Sequence, residues 1–391
     1  MATKLLVVDD EPDVESLVRM KFRRQIRENL YDFVFARGGT DALAKLVDHP
    51  DVCVVLSDIN MPDMDGLTLL QKIMEMKNPF LKTVVVSAYG DMKNIRTAMN
   101  RGAFDFVTKP IDFVDLEATI TKTLLHVDAT KRALEEHDQL VSVHRDLSIA
   151  TRIQQSIIPH TFPPFPERHE VDIYAEMMTA KEVGGDFYDF FFIDNNRLAF
   201  VIGDVSGKGV PAAIFMAMSR TLLKAVAFHI PDPARCLAKV NNLLFAENDT
   251  SMFVTVFFAI LNTSTGELEY SNGGHNSPYV LRTDGTMEQL EAVGGLFLGA
   301  MGELTYESKK IALTPGDILF LYTDGVTEAM DGQQMLFGEQ RLQDFLLRFK
   351  TSSISDLIRS SFAELQGFSE GSPQADDITI LALRYRGTDS A

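Results

Sequence analysis

Residues 52–66 read VCVVLSDINMPDMDG: a short apolar run that ends in an acid, Asp58, with Asn60 two positions on. Four further runs flank it, KLLVVDD (4–10), YDFVFA (31–36), KTVVVSA (82–88) and FDFVTKP (104–110), separated by amphipathic stretches. Short β-branched runs alternating with helical periodicity predict five βα units over residues 1–123, hence an α/β doubly wound parallel sheet. Sites in such sheets form at the carboxyl ends of the strands. The first run ends in Asp9 and Asp10, the third in Asp58, the fourth in Ser87, and the fifth in Lys109 followed by Pro110. Clustered carboxylates repel one another and favour a hard divalent cation such as Mg2+. Asp58 then reads as a nucleophile toward a phosphoryl donor, with the metal, Lys109 and the Ser87 hydroxyl neutralising the transferring oxygens. Any one acid alone would be ordinary turn chemistry; the ordered set is what carries the reading.

The stretches VVDDEP, LSDINMPDMDG, SAYG and FVTKP resemble the response-regulator receiver family over residues 1 to about 123. The resemblance implies phosphorylation of Asp58 by a cognate histidine kinase, with Mg2+ held by Asp9, Asp10, Asp58 and the backbone carbonyl of Asn60. It implies that Ser87 and Lys109 contact the phosphoryl group. Tyr89 falls at the family's aromatic switch position, against which stands the plain alternative of a half-exposed surface tyrosine.

Downstream, no glycine or proline occurs from Asp112 to Ile158, and Pro159, Pro163, Pro164 and Pro166 close the run. One long helix is expected. Its apolar positions Ile120, Leu124, Val127, Leu134 and Val141 approximate a heptad seam that shifts to Leu140, Val143, Leu147, Ala150 and Ile157. Lys131 and Asp138 interrupt it, so a homodimeric coiled coil and a helix packed on its own two domains both remain open. At roughly 1.5 Å per residue such a helix separates two sites by tens of ångströms. The expected domains are therefore 1–123, a helical linker at 124–158, and a second domain at 159–387.

Beyond residue 170 the texture becomes antiparallel, as in FVTVFFAILNTSTGELEYSNGG, where Thr-Gly separates two alternating runs. Two helical pairs interrupt the strands, so this half reads as α+β layers. Four acidic motifs recur in it: VGGDFYD with Asp186, GDVSGKG with Asp204, YTDGVTE with Asp324, and QADDITI with Asp376 and Asp377. An adjoining glycine lets the backbone approach an ion. All-oxygen ligands favour Mg2+ or Mn2+ over zinc, and two such ions roughly 4 Å apart can hold a bridging hydroxide for attack on a phosphate ester. GDVSGKG is not a phosphate loop: three residues, not four, separate its glycines, and Gly209 follows Lys208.

Residues from about 145 to 386 resemble the SpoIIE-type branch of the PPM serine/threonine phosphatases, through IQQSIIP, VGGDFYD, GDVSGKGVPAA, SNGGHNSP, LFLYTDGVTEA and ADDITIL. The resemblance implies an α+β sandwich, two antiparallel sheets flanked by helices, with a two-metal cleft at one end. Asp204 would bridge two Mn2+ or Mg2+ ions, the Val205 carbonyl would add a ligand, Asp186 would serve one ion, and Asp324 with Asp376 the other. Either Asp376 or Asp377 could be the direct ligand, with Asp376 favoured. The substrate-holding arginine of the wider group has no counterpart in MMTAKEVGGD; Lys181 is a substitute, although a solvated surface lysine is the better reading. His275 is expected to be structural.

The net charge of −18 opposes a phosphate backbone, so no direct nucleic-acid partner is expected. The two cysteines have no metal or disulfide spacing, no apolar run approaches a membrane span, and the N-terminus carries no secretion signal, which together predict a cytoplasmic protein. Two functions compete. One is a phosphatase controlled by Asp58 phosphorylation, acting on phosphoserine or phosphothreonine of an anti-sigma-factor antagonist in a partner-switching pathway, as the resemblance implies. The other is a non-catalytic adaptor that binds a sigma-factor or anti-sigma-factor partner and need not keep the aspartates.

Overall fold

The computed structural model describes residues 2–88, 90–349 and 353–388, so Tyr89 lies outside the described residues. The chain divides into two compact units, residues 1–142 and 143–391, and the stretch 124–158 is shared between them.

In the first unit five strands alternate with helices: β1 (Thr3–Val8), α1 (Asp13–Lys21), α2 (Arg23–Arg27), β2 (Tyr31–Ala36), α3 (Gly39–Asp48) and β3 (Val52–Asp58). There follow α4 (Gly66–Glu75), β4 (Lys82–Ala88), α5 (Met92–Asn100) and β5 (Asp105–Lys109). The sheet order is β2-β1-β3-β4-β5, with every neighbouring pair parallel. Both faces are covered, which is why β3 is buried along its whole length and reads as a continuous apolar run. Asp65 caps α4 by accepting the Thr68 N–H at 2.7 Å.

Helix α6 runs unbroken from Phe113 to Ile157, 45 residues. Its early apolar positions are spent on the first unit, where Leu116, Ile120 and Val127 are buried in the core. Lys131, which interrupts the expected seam, lies over the Phe80 ring. The middle is different: Leu134, Leu140, Val141 and Val143 are exposed.

The second unit is a sandwich. Its strands are β6 (Val171–Met178), β7 (Phe187–Phe192), β8 (Arg197–Val205), β9 (Val254–Asn262), β10 (Glu267–Gly273), β11 (Tyr279–Leu281) and β12 (Met287–Gln289). β13 (Lys309–Ala312), β14 (Ile318–Tyr322) and β15 (Ile378–Tyr385) complete the set. Two antiparallel sheets result, β13-β10-β9-β8-β7 and β12-β11-β14-β15-β6. Phe200, Phe257, Leu319 and Leu381 belong to one buried cluster joining the inner faces. The helices are α7 (Val210–His229), α8 (Pro233–Ala246), the single turn α9 (Asp324–Thr327), α10 (Gly338–Arg348) and α11 (Ile354–Phe368). The β9–β10 hairpin turns through Gly266 at φ +75°, as the Thr-Gly signal required.

Where the sequence reading expected no membrane-length segment, α7 has the length and composition of one, with a mean hydropathy of 1.4. Yet Ala212, Phe215, Met216, Leu223 and Ala227 are buried in the sandwich core, and Arg220 pairs at 2.7 Å with the buried Asp189. Its apolarity serves core packing.

The turn from β3 into α4 tolerates no side chain at Gly66, where a Cβ would lie 2.1 Å from the Asp58 carbonyl oxygen. Gly66→Ala is therefore expected to destabilise the first unit by about 1–3 kcal/mol, the usual cost of overpacking, measured as a shifted midpoint in urea unfolding. An unchanged midpoint would mean that the turn relaxes freely.

Candidate functional site

Two groups of acids collect at strand ends, one in each unit. In the first, Asp9, Asp10 and Asp58 each offer a carboxylate oxygen within 4.8 Å of the others. Parallel pairing brings them there: Val8, just before Asp9, is opposite Ser57, just before Asp58. Lys109 Nζ donates to Asp58 Oδ2 at 2.6 Å, Asp9 Oδ2 at 3.0 Å and Glu11 Oε1 at 3.3 Å. Burial alone would lower the Lys109 ammonium, but its hydrogen bonds to Asp58 and Asp9 outweigh that and hold it well above its ordinary value. Burial raises Asp9, with Lys109 and the Glu11 N–H opposing it. The Asn60 N–H donates to Asp58 Oδ1 at 3.2 Å.

Ser87 sits on β4, fully buried, with an Oγ that has no hydrogen-bond partner. Unsatisfied buried hydroxyls are rare and call for an explanation. A phosphoryl oxygen on the neighbouring strand's Asp58 is the kind of acceptor that would satisfy it, and the acidic oxygens beside it fit a hard divalent cation.

In the second unit the acids come from both sheets. Asp186 immediately precedes β7, whose Phe187 is opposite Gly203, so Asp186 and Asp204 are neighbours across the pair. From the facing sheet, Thr323 and Thr379 donate their hydroxyls to Asp186 Oδ2 at 2.8 and 2.6 Å. Asp186 is almost wholly buried; that burial first, and the charge of Asp204 next, hold its carboxyl well above the ordinary range. Asp204 is pushed to about 7 by burial and then by the charges of Asp324 and Asp376. Asp324 is raised by burial, with Glu328 and Asp376 adding to it. The Val205 carbonyl faces Gly185, where a Cβ would come within 2.9 Å of its oxygen.

The Asp376–Asp377 pair divides by environment. Asp377 is buried, and its carboxylate accepts backbone N–H bonds from Ala180 at 2.8 Å and Gly185 at 2.7 Å. Its oxygens are occupied in holding the loop before Asp186. Asp376 is more exposed; its Oδ1 accepts the Asp377 N–H at 2.9 Å, and its Oδ2 lies 2.9 Å from Lys208 Nζ, which also donates to the Ala375 carbonyl.

Lys181 is exposed, whereas Lys208 lies among the acids, a placement the motif reading did not reach because it used Lys208 only to exclude a phosphate loop. Thr323 and Thr379 were also missed, although each stands beside a quoted acidic motif. His275 is buried in a backbone network, its N–H donating to Asn272 Oδ1 at 2.7 Å and its Nδ1 bonded to Thr255 Oγ1 at 2.9 Å. Burial lowers it to about 4, so it is neutral at physiological pH.

Four acids at one end of a sandwich, three of them raised by burial and by one another, form an all-oxygen donor set suited to divalent metal ions. The comparisons with known proteins agree with this class. The family model of stage II sporulation protein E matches residues 194–386, and that of the response regulator receiver domain matches residues 5–121. The chain is 30% identical over 262 residues to the phosphoserine phosphatase RsbU of Bacillus subtilis, covering 65% of this chain and 75% of that protein. It is 33% identical over 270 residues to protein IcfG of Synechocystis sp., covering 62% of this chain but 41% of that protein. The SiaA-PP2C domain of Pseudomonas aeruginosa superposes with a TM-score of 0.57 at 21% identity, covering 63% of this chain and 98% of the domain, a likeness of fold. The chain belongs to the SpoIIE family of PPM phosphatases, and a response-regulator receiver domain precedes its phosphatase domain. Phosphatases of this kind are metal-dependent, and receiver domains bind Mg2+.

The raised Asp204 fixes a pH dependence. Below about 7 its carboxyl carries a proton that a metal ion must displace; above that it is already ionised. Mn2+ affinity is therefore expected to rise with pH through this range, by about tenfold or more per pH unit below 7. Calorimetric titration in two buffers of different ionisation enthalpy should show more proton release on Mn2+ binding at pH 6 than at pH 8.5. Equal release at both would contradict the assignment of the charge cluster.

Proposed function

We propose that receiver phosphorylation on Asp58 by a cognate histidine kinase controls a metal-dependent serine/threonine phosphatase, whose substrate is a phosphorylated anti-sigma-factor antagonist in a partner-switching pathway. The functional segments are 1–123, the helical linker 124–158, and 159–387. The observation that carries the reading is the concentration of Asp186, Asp204, Asp324 and Asp376 at one end of the sandwich, which leaves more negative charge than Lys208 balances. Asp204 interacts with Asp186 through a side-chain hydrogen bond and with the charges of Asp324 and Asp376. Those interactions support its role as a ligand shared by two ions, with the Val205 carbonyl as a further ligand. Asp377 organises the loop and Asp376 is the direct ligand.

When bound, two Mn2+ or Mg2+ ions supply an activated water and neutralise the phosphate ester. The chain's own work is to hold the ligands rigid: Thr323 and Thr379 fix Asp186, and Asp377 fixes the backbone leading to it. In the receiver, Asp9, Asp10, Asp58 and the Asn60 carbonyl would hold Mg2+. There Lys109 and Ser87 meet the phosphoryl group, and Tyr89 follows Ser87 as the aromatic switch. The exposed Leu134, Leu140, Val141 and Val143 support pairing of two chains along α6. Both cysteines are free and buried, which suits a reducing cytoplasm.

Hydrolysis of a phosphoserine protein should require Mn2+ or Mg2+ and stop with a chelator. Asp204→Ala should lower kcat by on the order of a hundredfold or more, since it removes charge compensation from both ions at once. With acetyl phosphate, wild type should gain one alkali-labile phosphoryl group and Asp58→Asn none. Full activity in the double variant Asp204→Ala, Asp324→Ala would leave the adaptor reading standing instead.

A further inference from the structure

The last full turn of α6 carries a glutamine, Gln154, with only 5% of its surface exposed. Long polar side chains are seldom buried, because both the desolvated amide and the lost rotamers count against them. Both ends of this amide bond to one residue. Its Nε2 donates to the Gly184 carbonyl at 2.7 Å, and its Oε1 accepts the Gly184 N–H at 3.1 Å. One turn earlier, Thr151 Oγ1 donates to the Glu182 carbonyl at 2.7 Å. The side chains of the helix thus bond the 182–184 backbone as a neighbouring β-strand would.

Gly184 is wedged. A Cβ there would lie 2.3 Å from Asp377 Oδ2, and the next residue, Gly185, donates its N–H to that same oxygen. Gln154 and Asp377 hold the two sides of a loop whose following residue is Asp186. Beside the helix turn lies a cavity of about 510 Å³ lined by Thr151, Gln154, Ile158, Met177, Glu182 and Tyr188. Ile158, four residues on, anchors the end of this face in the sandwich core, and the hydrogen bonds from Thr151 and Gln154 tie the turn to the 182–184 loop.

We infer that Gln154 is a positioning residue: through its paired bonds to Gly184, the last turn of α6 sets the Gly184–Gly185 loop and with it the carboxylate of Asp186. A rotation of the helix about its axis then reaches the acidic cleft as a displacement of one ligand. This rests on the phosphatase reading only in taking Asp186 as a metal ligand.

The test uses the full chain and two readouts. Gln154→Met keeps length and volume but leaves the Gly184 N–H and carbonyl unpaired, a change that corresponds to roughly tenfold or more in a local opening equilibrium. Amide hydrogen exchange of residues 182–186 is expected to quicken by at least that factor while exchange in β8 and β9 does not. The Mn2+ concentration for half-maximal hydrolysis should rise by a similar factor, with kcat at saturating Mn2+ falling much less. Should Gln154→Met fail to fold, Gln154→Glu, which keeps the acceptor but sets a carboxylate against the Gly184 carbonyl, should show the same pattern. Unchanged exchange at 182–186, or a lower kcat without a change in Mn2+ dependence, overturns the inference. A wild-type chain without Mn2+-dependent hydrolysis would overturn the phosphatase reading, and the exchange measurement would still decide the role of Gln154.

Discussion

Like-charge repulsion between carboxylates at strand ends is the constraint around which both units are arranged. At full ionisation neither group is stable without compensation, because burial weakens the screening that water would provide. The two units answer it differently. In the receiver one lysine, Lys109, reaches three acids and is held protonated by them. Among the described residues of the sandwich one lysine, Lys208, pairs with one acid of the four, and the remaining charge is expressed as raised carboxyls at Asp186, Asp204 and Asp324. Cation binding and phosphoryl chemistry are the uses that such unbalanced charge permits.

Much of the fold was legible because its signals are local. The five parallel strands announced themselves as β-branched runs, and α6 as a long stretch without glycine or proline. Short strands such as β11, β12 and β13 carry too few residues for a period to show, and they exist because the sheet edge beside them needs partners. Helix α7 passes for a membrane-length segment for a related reason: a helix packed against a sheet and a helix in lipid are both apolar, and the core burial of Phe215, Met216 and Leu223 with the Arg220–Asp189 pair shows which environment this one has.

The site was legible as far as its acids, which motif and strand position bring to notice. What aims them was not. Thr323 and Thr379 meet Asp186 across more than a hundred residues of chain, and the distinction between Asp376 and Asp377 depends on which carboxylate the Gly184–Gly185 backbone can reach. Gln154 belongs to the same class. Nothing in the IQQ sequence says which glutamine turns inward, because Gln155 one position on is exposed. Register on a helix decides it, and register is also what a signal along α6 would change.

The proposal at the centre of the account is that phosphorylation of the receiver alters hydrolysis through a rotation of α6. One alanine inserted after Glu135 rotates everything downstream by about 100° while leaving both ends of the helix intact. The measurement is the Mn2+-dependent rate on a phosphoserine protein, with and without acetyl phosphate, for wild type and for the insertion. A change in wild-type rate on phosphorylation that is lost or inverted in a folded insertion variant is the predicted result. The same fold-change in both proteins would make the helix a tether and contradict the account.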